Sequence, residues 1–182
     1  YLLPEPGASD EPKRDRRFRD GTLGLGGHAG AVLHKARLQA ERAGLPREGV
    51  QLLGLDRDAE ALALAGERLK EFDGAVHFRQ SAFADFETAL DELGWDYIDG
   101  ALVDLGVSSL QLDKPERGFS FLHDGPLDMR MNPGGGHEPA SALVNRATVQ
   151  RLKEIIEIYG EEPQAGRIAR AIDDARAIRP IE

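Results

Sequence analysis

Residues Phe18–Asp58, FRDGTLGLGGHAGAVLHKARLQAERAGLPREGVQLLGLDRD, decide the fold. A short strand is expected around Phe18–Asp20, followed by a glycine-rich turn. From Ala29 the apolar positions Val32, Leu33, Ala36 and Ala40 recur at helical spacing, and Gly44, Leu45 and Pro46 stop the helix. Val50–Leu55 then reads as a buried strand ending at Asp56. Two strands joined through a helix make a βαβ unit, in which the strands run parallel and the crossover is right-handed.

The alternation continues beyond this unit. Asp58 is a candidate N-cap for a helix whose inner face carries Leu62, Ala65, Leu69 and Phe72, with Asp73 and Gly74 as its exit. Val76–Arg79 is a third strand. Phe86, Ala89, Leu90 and Leu93 sit at i, i+3, i+4 and i+7, an amphipathic helix closed by Gly94. Tyr97–Val103 is the fourth strand. The pattern predicts an α/β domain with a parallel, Rossmann-like sheet and ligands at the C-terminal strand ends.

After Asp104 the periodicity fades. Residues 105–131 are rich in Gly, Ser, Asp and Arg, and a long loop after a buried strand commonly carries binding or chemistry. Beyond it only helices are expected. Thr148 can cap one with Val149, Leu152, Ile156 and Tyr159 inward, and a second has Ala165, Ile168, Ala169 and Ile172 inward. The expected organisation is an irregular lead-in over 1–16, a Rossmann-like cofactor domain over 17–111, and an active-site loop with a helical insertion subdomain over 112–182. A four-stranded parallel sheet ending beside its own site leaves an apolar edge. That edge predicts a chain truncated at both ends, or a partner, a second copy included, that supplies the missing neighbour.

Composition narrows the function. With 182 residues, 41% hydrophobic and 30% charged, the chain can bury a sizeable core. It has no cysteine, so thiolate chemistry and cysteine-based zinc sites are excluded and a reducing compartment, the cytoplasm, is the expected location. No apolar run approaches the ~20 residues that span a bilayer, so no membrane role is expected. A net charge of −9 argues against holding nucleic acid by overall attraction. Two basic series, Lys13, Arg14, Arg16, Arg17 and Arg19, and Arg167, Arg170, Arg176 and Arg179, are either local patches or solvated faces.

Three features bear on chemistry. The turn DGTLGLGGH, Asp20–His28, lets a ligand approach its backbone and leads into a helix N-terminus; alone, such a cluster also occurs in turns that hold nothing. Asp56 can accept both hydroxyls of a ribose, so turn and acid together read as a nucleoside cofactor site. Asp104, at the end of the fourth strand, should face the same cleft or cap the next turn. Nicotinamide folds place the acid about 20 residues after the glycines, whereas here Asp56 follows Gly24 by 32 and an acid, Asp20, precedes them. S-adenosylmethionine, with its sulfonium and ammonium, fits an anionic strand tip better than a pyrophosphate does. The histidines show no metal spacing, no lysine follows the glycines as in a P-loop, and no metal is expected.

The segments DGTLGLGGH, GLDRDAEAL, GALVDLGVSSLQLDKPERGFSF, DGPLDMRMNP and YGEE…RIARAI occur in this order from Asp20 onward. In them the chain resembles the MraW-type methyltransferases, the ribosomal RNA small-subunit methyltransferase H family. The resemblance implies a Rossmann-like methyltransferase sheet with a helical insertion, and S-adenosylmethionine as cofactor. It implies 16S rRNA of the small ribosomal subunit as partner, with methylation at N4 of a cytidine in the decoding region. By position it implies cofactor contacts at Gly26, Gly27, His28 and Asp56, with Phe83 near the adenine and Asp104 and Gln111 on the methionine side.

The cytosine amine needs an acceptor for its proton as it attacks the methyl group, and Asp104, the candidate catalytic residue, or a backbone carbonyl of the following loop can supply it. The Asp/Asn-Pro-Pro-Tyr motif of many amine methyltransferases is replaced by Asp-Leu-Gly-Val, so Phe119 or Phe121 are the candidates for holding the base, and Arg117 and Arg130 for phosphate contacts. The family's SSPQLD reads SSLQLD with Leu110, its DMRMDP reads DMRMNP with Asn132, and its opening His-x-Pro-Val-Leu and later ISFHSLEDR-type segments are missing. Two readings stand beside this one: an NAD-dependent oxidoreductase, favoured by the glycine turn alone, and a non-catalytic RNA-binding module on the same fold.

Overall fold

The strand Val50–Asp56, β2, buries Val50, Leu52, Leu53 and Leu55 almost completely. Such a run, apolar without alternation, belongs to a strand covered on both faces. In the computed structural model, which describes residues 14–182, β2 lies at the interior of a four-stranded sheet ordered β3-β2-β1-β4, with all three pairings parallel. The other strands are β1 (Arg16–Asp20), β3 (Val76–Gln80) and β4 (Gly100–Leu102). Helices α1 (Gly27–Arg42) and α2 (Ala59–Arg68) contribute Leu33, Ala36, Ala40 and Ala65 to a core with Phe18 and Leu52. On the other face Leu53 and Leu55 pack with Ala89 of α3 (Phe86–Leu93) and with Trp95.

Sequence order runs outward from β1 through β2 to β3, then crosses back to place β4 on β1's other side. This reversal makes the C-terminal ends of β1 and β4 a topological switch point, where open α/β sheets place their ligands. Asp20 pairs in register with Gly54 on one side and Leu102 on the other, so Asp20 and Asp56 end neighbouring strands at the same edge where Asp104 follows β4 by two residues.

The chain divides after Gly106. The second unit, Val107–Glu182, holds α4 (Ser109–Asp113), α5 (Ala140–Arg146), α6 (Val149–Gly160) and α7 (Ala165–Ile178). Thr148 caps α6, its hydroxyl accepting from Arg151 N–H at 3.2 Å. Helices α6 and α7 pack on each other, burying Leu152, Ala165 and Ala169. Arg176 of α7 donates to the carbonyls of Val144 and Ala147, both at 2.7 Å, and so latches the end of α5. No helix among the described residues is long and apolar enough to cross a membrane.

Several expectations are corrected. The fourth strand is only Gly100–Leu102, because Asp99 bends the chain into β1: its carboxylate accepts Arg17 N–H at 2.7 Å and its own N–H donates to Arg17 carbonyl at 2.7 Å. The stretch after Asp104 contains α4, set by a capping box in which Ser108 and Gln111 satisfy each other's N–H groups. Tyr159 and Ile168, expected inward, are 78% and 38% exposed, since within the unit each of these helices is buried along one narrow seam. The first basic series is built into β1: Arg19 is buried, stacked over the Phe86 ring at 4.2 Å, and Arg14 pairs with Asp99, while Lys13 lies outside the described residues.

Candidate functional site

The site at the strand tips is built by the turn between β1 and α1. Leu23 N–H donates to Leu55 carbonyl at 2.9 Å, and Leu23 itself is buried, which folds the turn down onto β2. Gly24 and Gly26 take φ of 52° and 75°, a region where a side chain is strained. A Cβ on Gly26 would stand 2.9 Å from Leu69 Cδ1, so the turn also presses against the end of α2. Gly27 and His28 open α1 and are exposed at its first turn.

Asp56 ties the turn to the second strand. Its Oδ2 accepts Gly24 N–H at 2.8 Å and its Oδ1 accepts Asp58 N–H at 2.9 Å. A carboxylate has about four lone-pair sites, so one on each oxygen stays available to a pair of hydroxyls. Asp58 in turn caps α2, accepting Glu60 N–H at 3.0 Å.

Asp20 is the unusual member. It is 1% exposed; its Oδ1 accepts Thr22 N–H at 3.1 Å, while its Oδ2 is buried with no partner among the described residues. Burial pushes its carboxyl up to about 6; Thr22 N–H and His28 pull it down, and Asp56 and Asp104 push it further up. Those interactions bring Asp20, His28, Asp56 and Asp104 into one electrostatic neighbourhood. Asp104 itself is exposed, and its backbone N–H is fixed to the Thr22 hydroxyl at 2.7 Å, which ties the β4 tip to the β1 turn. Thr22, on no list of candidates, is thus the link between strands; its place two residues after the strand-end acid is the only sequence signal for it.

Phe83 follows β3 on an exposed 3₁₀ turn and reaches over β1: its Cβ would lie 3.1 Å from a Cβ on Gly21. Gln111 lies in the second unit, 3% exposed, with its carboxamide oxygen accepting Ser108 N–H at 3.1 Å. Arg117 and Arg130, expected at phosphates, brace the loop instead. Arg117 is buried and donates to the carbonyls of Arg130 and Met131, both at 3.1 Å. Arg130 holds Asp128, whose carboxyl it draws below the usual range, and reaches the carbonyls of Pro133 and His137. Phe121 is fully exposed. Among the described residues no group of three or more His, Asp or Glu is arranged to hold a metal ion.

A nucleoside-bearing cation suits this edge. The partnerless Asp20 oxygen suits positive charge, the open turn at Gly24 suits close backbone approach, and the remaining Asp56 lone pairs suit a ribose. The chain is 56% identical over 181 residues to ribosomal RNA small subunit methyltransferase H of Nitratidesulfovibrio vulgaris (strain DSM 19637 / Miyazaki F), covering 100% of the chain and 47% of that relative. It is 54% identical over 175 residues to the protein of the same name from Desulfovibrio desulfuricans (strain ATCC 27774 / DSM 6949 / MB), covering 96% and 50%. With that of Lawsonia intracellularis (strain PHE/MN1-00) it shares 47% over 180 residues, covering 99% and 54%. The chain thus spans about half the length of the curated relatives it matches. A family model matches residues 4–182, through both the strand-tip turn and the helical unit, and the chain belongs to the MraW methylase family.

Proposed function

We propose that this chain carries the cofactor-binding half of an S-adenosylmethionine-dependent methyltransferase that acts in the cytoplasm on N4 of a cytidine in the decoding region of 16S rRNA. The observation that carries the cofactor reading is the buried Asp20 oxygen without a partner, set between a glycine turn and Asp56. The RNA substrate follows from the relatives' names and the family. When bound, S-adenosylmethionine supplies an electrophilic methyl group.

The chain's own residues then divide the work. Asp20 would meet the cofactor's positive charge, and Asp56 would take the ribose hydroxyls with the lone pairs that Gly24 and Asp58 leave free. Gly26, Gly27 and His28 would line the approach at the head of α1, and Phe83 would pack near the adenine. Thr22 holds the Asp104 backbone so that the exposed Asp104 carboxylate stands at the mouth of the cleft. There it would accept the proton the cytosine amine loses as its nitrogen takes the methyl group, the sulfur–methyl bond breaking to leave S-adenosylhomocysteine. Gln111 contributes on the methionine side.

Calorimetry with S-adenosylhomocysteine and with NAD tests the cofactor half. Heat with the first and none with the second is expected; the reverse would favour the oxidoreductase. For the substrate half, small subunits from a strain lacking this methylation should accept labelled methyl on cytidine N4 from the full-length protein. Label elsewhere, or none, would refute it.

A further inference from the structure

A groove of about 700 Å³ runs along the outer side of α1, with Phe72 as its floor. It begins with Ala31 and His34, about 6 and about 10 Å along the helix from Gly27, and runs from there away from the strand tips. Its lining is charged, and the charges are unequally matched. Glu41 takes Arg47 at 2.5 Å, and Glu71 faces His34 Nε2 at 3.4 Å. Lys35 and Arg37 remain. No hydrogen bond or ion pair joins either side chain among the described residues; Arg37 is held over the Phe72 ring at 5.0 Å, with its Nε buried and without an acceptor.

Glu41 and Glu71 line the same groove, but among the described residues no ion pair joins either of them to Lys35 or Arg37. Lys35 and Arg37, two residues apart on the helix, stand on opposite flanks of this concave strip, where an ammonium and a guanidinium stacked on an aromatic floor can each meet one anion of a chain. We infer that this groove holds the phosphate backbone of the RNA substrate, Lys35 and Arg37 each taking one phosphate, outside the cleft where methyl transfer occurs. The inference rests on the reading of RNA as substrate. Binding free energy from such a remote contact serves to hold a large substrate while the reacting base is positioned elsewhere.

The test is the salt dependence of binding to a labelled 16S rRNA fragment that spans the decoding region, measured by anisotropy for the whole chain and for Lys35→Gln/Arg37→Gln. For single-stranded RNA each phosphate contact adds about 0.7 to the slope of log K against log salt. The double variant should lose about 1.4 of slope, or about 25-fold in affinity at 0.1 M relative to 1 M salt. Its S-adenosylhomocysteine affinity should stay unchanged, since neither residue touches the strand tips. Arg167→Gln/Arg170→Gln, the same charge change on α7, is the comparison.

An unchanged slope in the groove variant, with the wild type still binding RNA, overturns the groove and leaves the substrate reading intact. An equal loss in the α7 variant overturns it too, because net charge would then be the cause. A wild type that binds S-adenosylhomocysteine but no RNA removes both the inference and the substrate reading. Binding of an acidic peptide in the groove in place of RNA, displaced by the same variant, would assign the surface to a protein partner and overturn the inference.

Discussion

Asp20→Asn should make the ligand-free protein more stable at neutral pH and less able to bind a cation. Burial raises the Asp20 carboxyl from 3.8 to about 6. The folded state therefore holds this proton more tightly than the unfolded chain, so stability is lost as pH rises from about 4 to about 6, and the loss is complete above that window. A shift of about two pKa units corresponds to about 3 kcal/mol. Asparagine keeps the shape without the charge, and Thr22 N–H keeps its acceptor. One buried polar group still lacks a partner in the variant, a fixed offset of about 1–3 kcal/mol that does not vary with pH. Urea unfolding of both proteins at about pH 4 and at pH 7.5 removes that offset, and the difference between them should move by 2–3 kcal/mol toward the variant at the higher pH. In the same window the wild type should lose S-adenosylmethionine affinity as pH falls below about 6, and the variant should bind weakly at every pH. A stability difference that stays flat with pH would refute the claim that a buried, uncompensated carboxylate stands at the β1 tip.

Asp56→Ala removes the acceptor of Gly24 and Asp58 N–H; unfolding should show a loss of about 2 kcal/mol, and S-adenosylhomocysteine affinity should drop by more than about 100-fold. Gly26→Ala forces a left-handed residue against Leu69 and should destabilise by roughly 1–3 kcal/mol in urea, so an unchanged midpoint would contradict the turn geometry. Gly125→Ala would place a Cβ 2.0 Å from Pro115 carbonyl oxygen; limited proteolysis should cut within 115–131 sooner, while α6 and α7 survive intact. Arg176→Met frees the carbonyls of Val144 and Ala147, and hydrogen exchange should speed up in α5 with no change in the sheet.

Sheet and glycine turn were legible because each boundary is written in local chemistry. Asp58 caps its helix, Gly44 and Gly94 stop theirs in the left-handed region, and the apolar run at β2 reports cover on two faces. What escaped depends on contacts distant in sequence. The shortening of the fourth strand comes from Asp99 binding Arg17, 82 residues away. Helix α5 has seven residues after a run of Pro and Gly, too short for a period to show, and is held by Arg176 from α7. Arg117 and Arg130 show the converse: their residue type in a polar loop does not announce that Arg117 is buried or that both donate to backbone carbonyls of the loop. In the candidate site the residue types were legible and the coupling was not. That Asp56 serves the turn before any ligand, and that Thr22 anchors Asp104, are facts of geometry.

The buried polar and charged side chains of the first unit separate structure from function. Gln39 and Asp58 are buried with partners, one accepting from Arg16 and the other capping α2. Arg19 and Asp20 are buried neighbours of opposite sign, but successive residues of a strand point to opposite faces, so the two do not pair directly. Arg19 has the Phe86 ring to lie on, and burial lowers its guanidinium's affinity for the proton. Asp20 has less compensation: one oxygen is satisfied by Thr22 and His28 attracts the carboxylate, but burial and the neighbouring Asp56 and Asp104 disfavour its charge. Two further carboxylates near one partnerless carboxylate oxygen lower stability at neutral pH. A bound cation would reverse the sign of that interaction, so the acid that costs the ligand-free sheet stability is the one the proposed cofactor's positive charge would relieve.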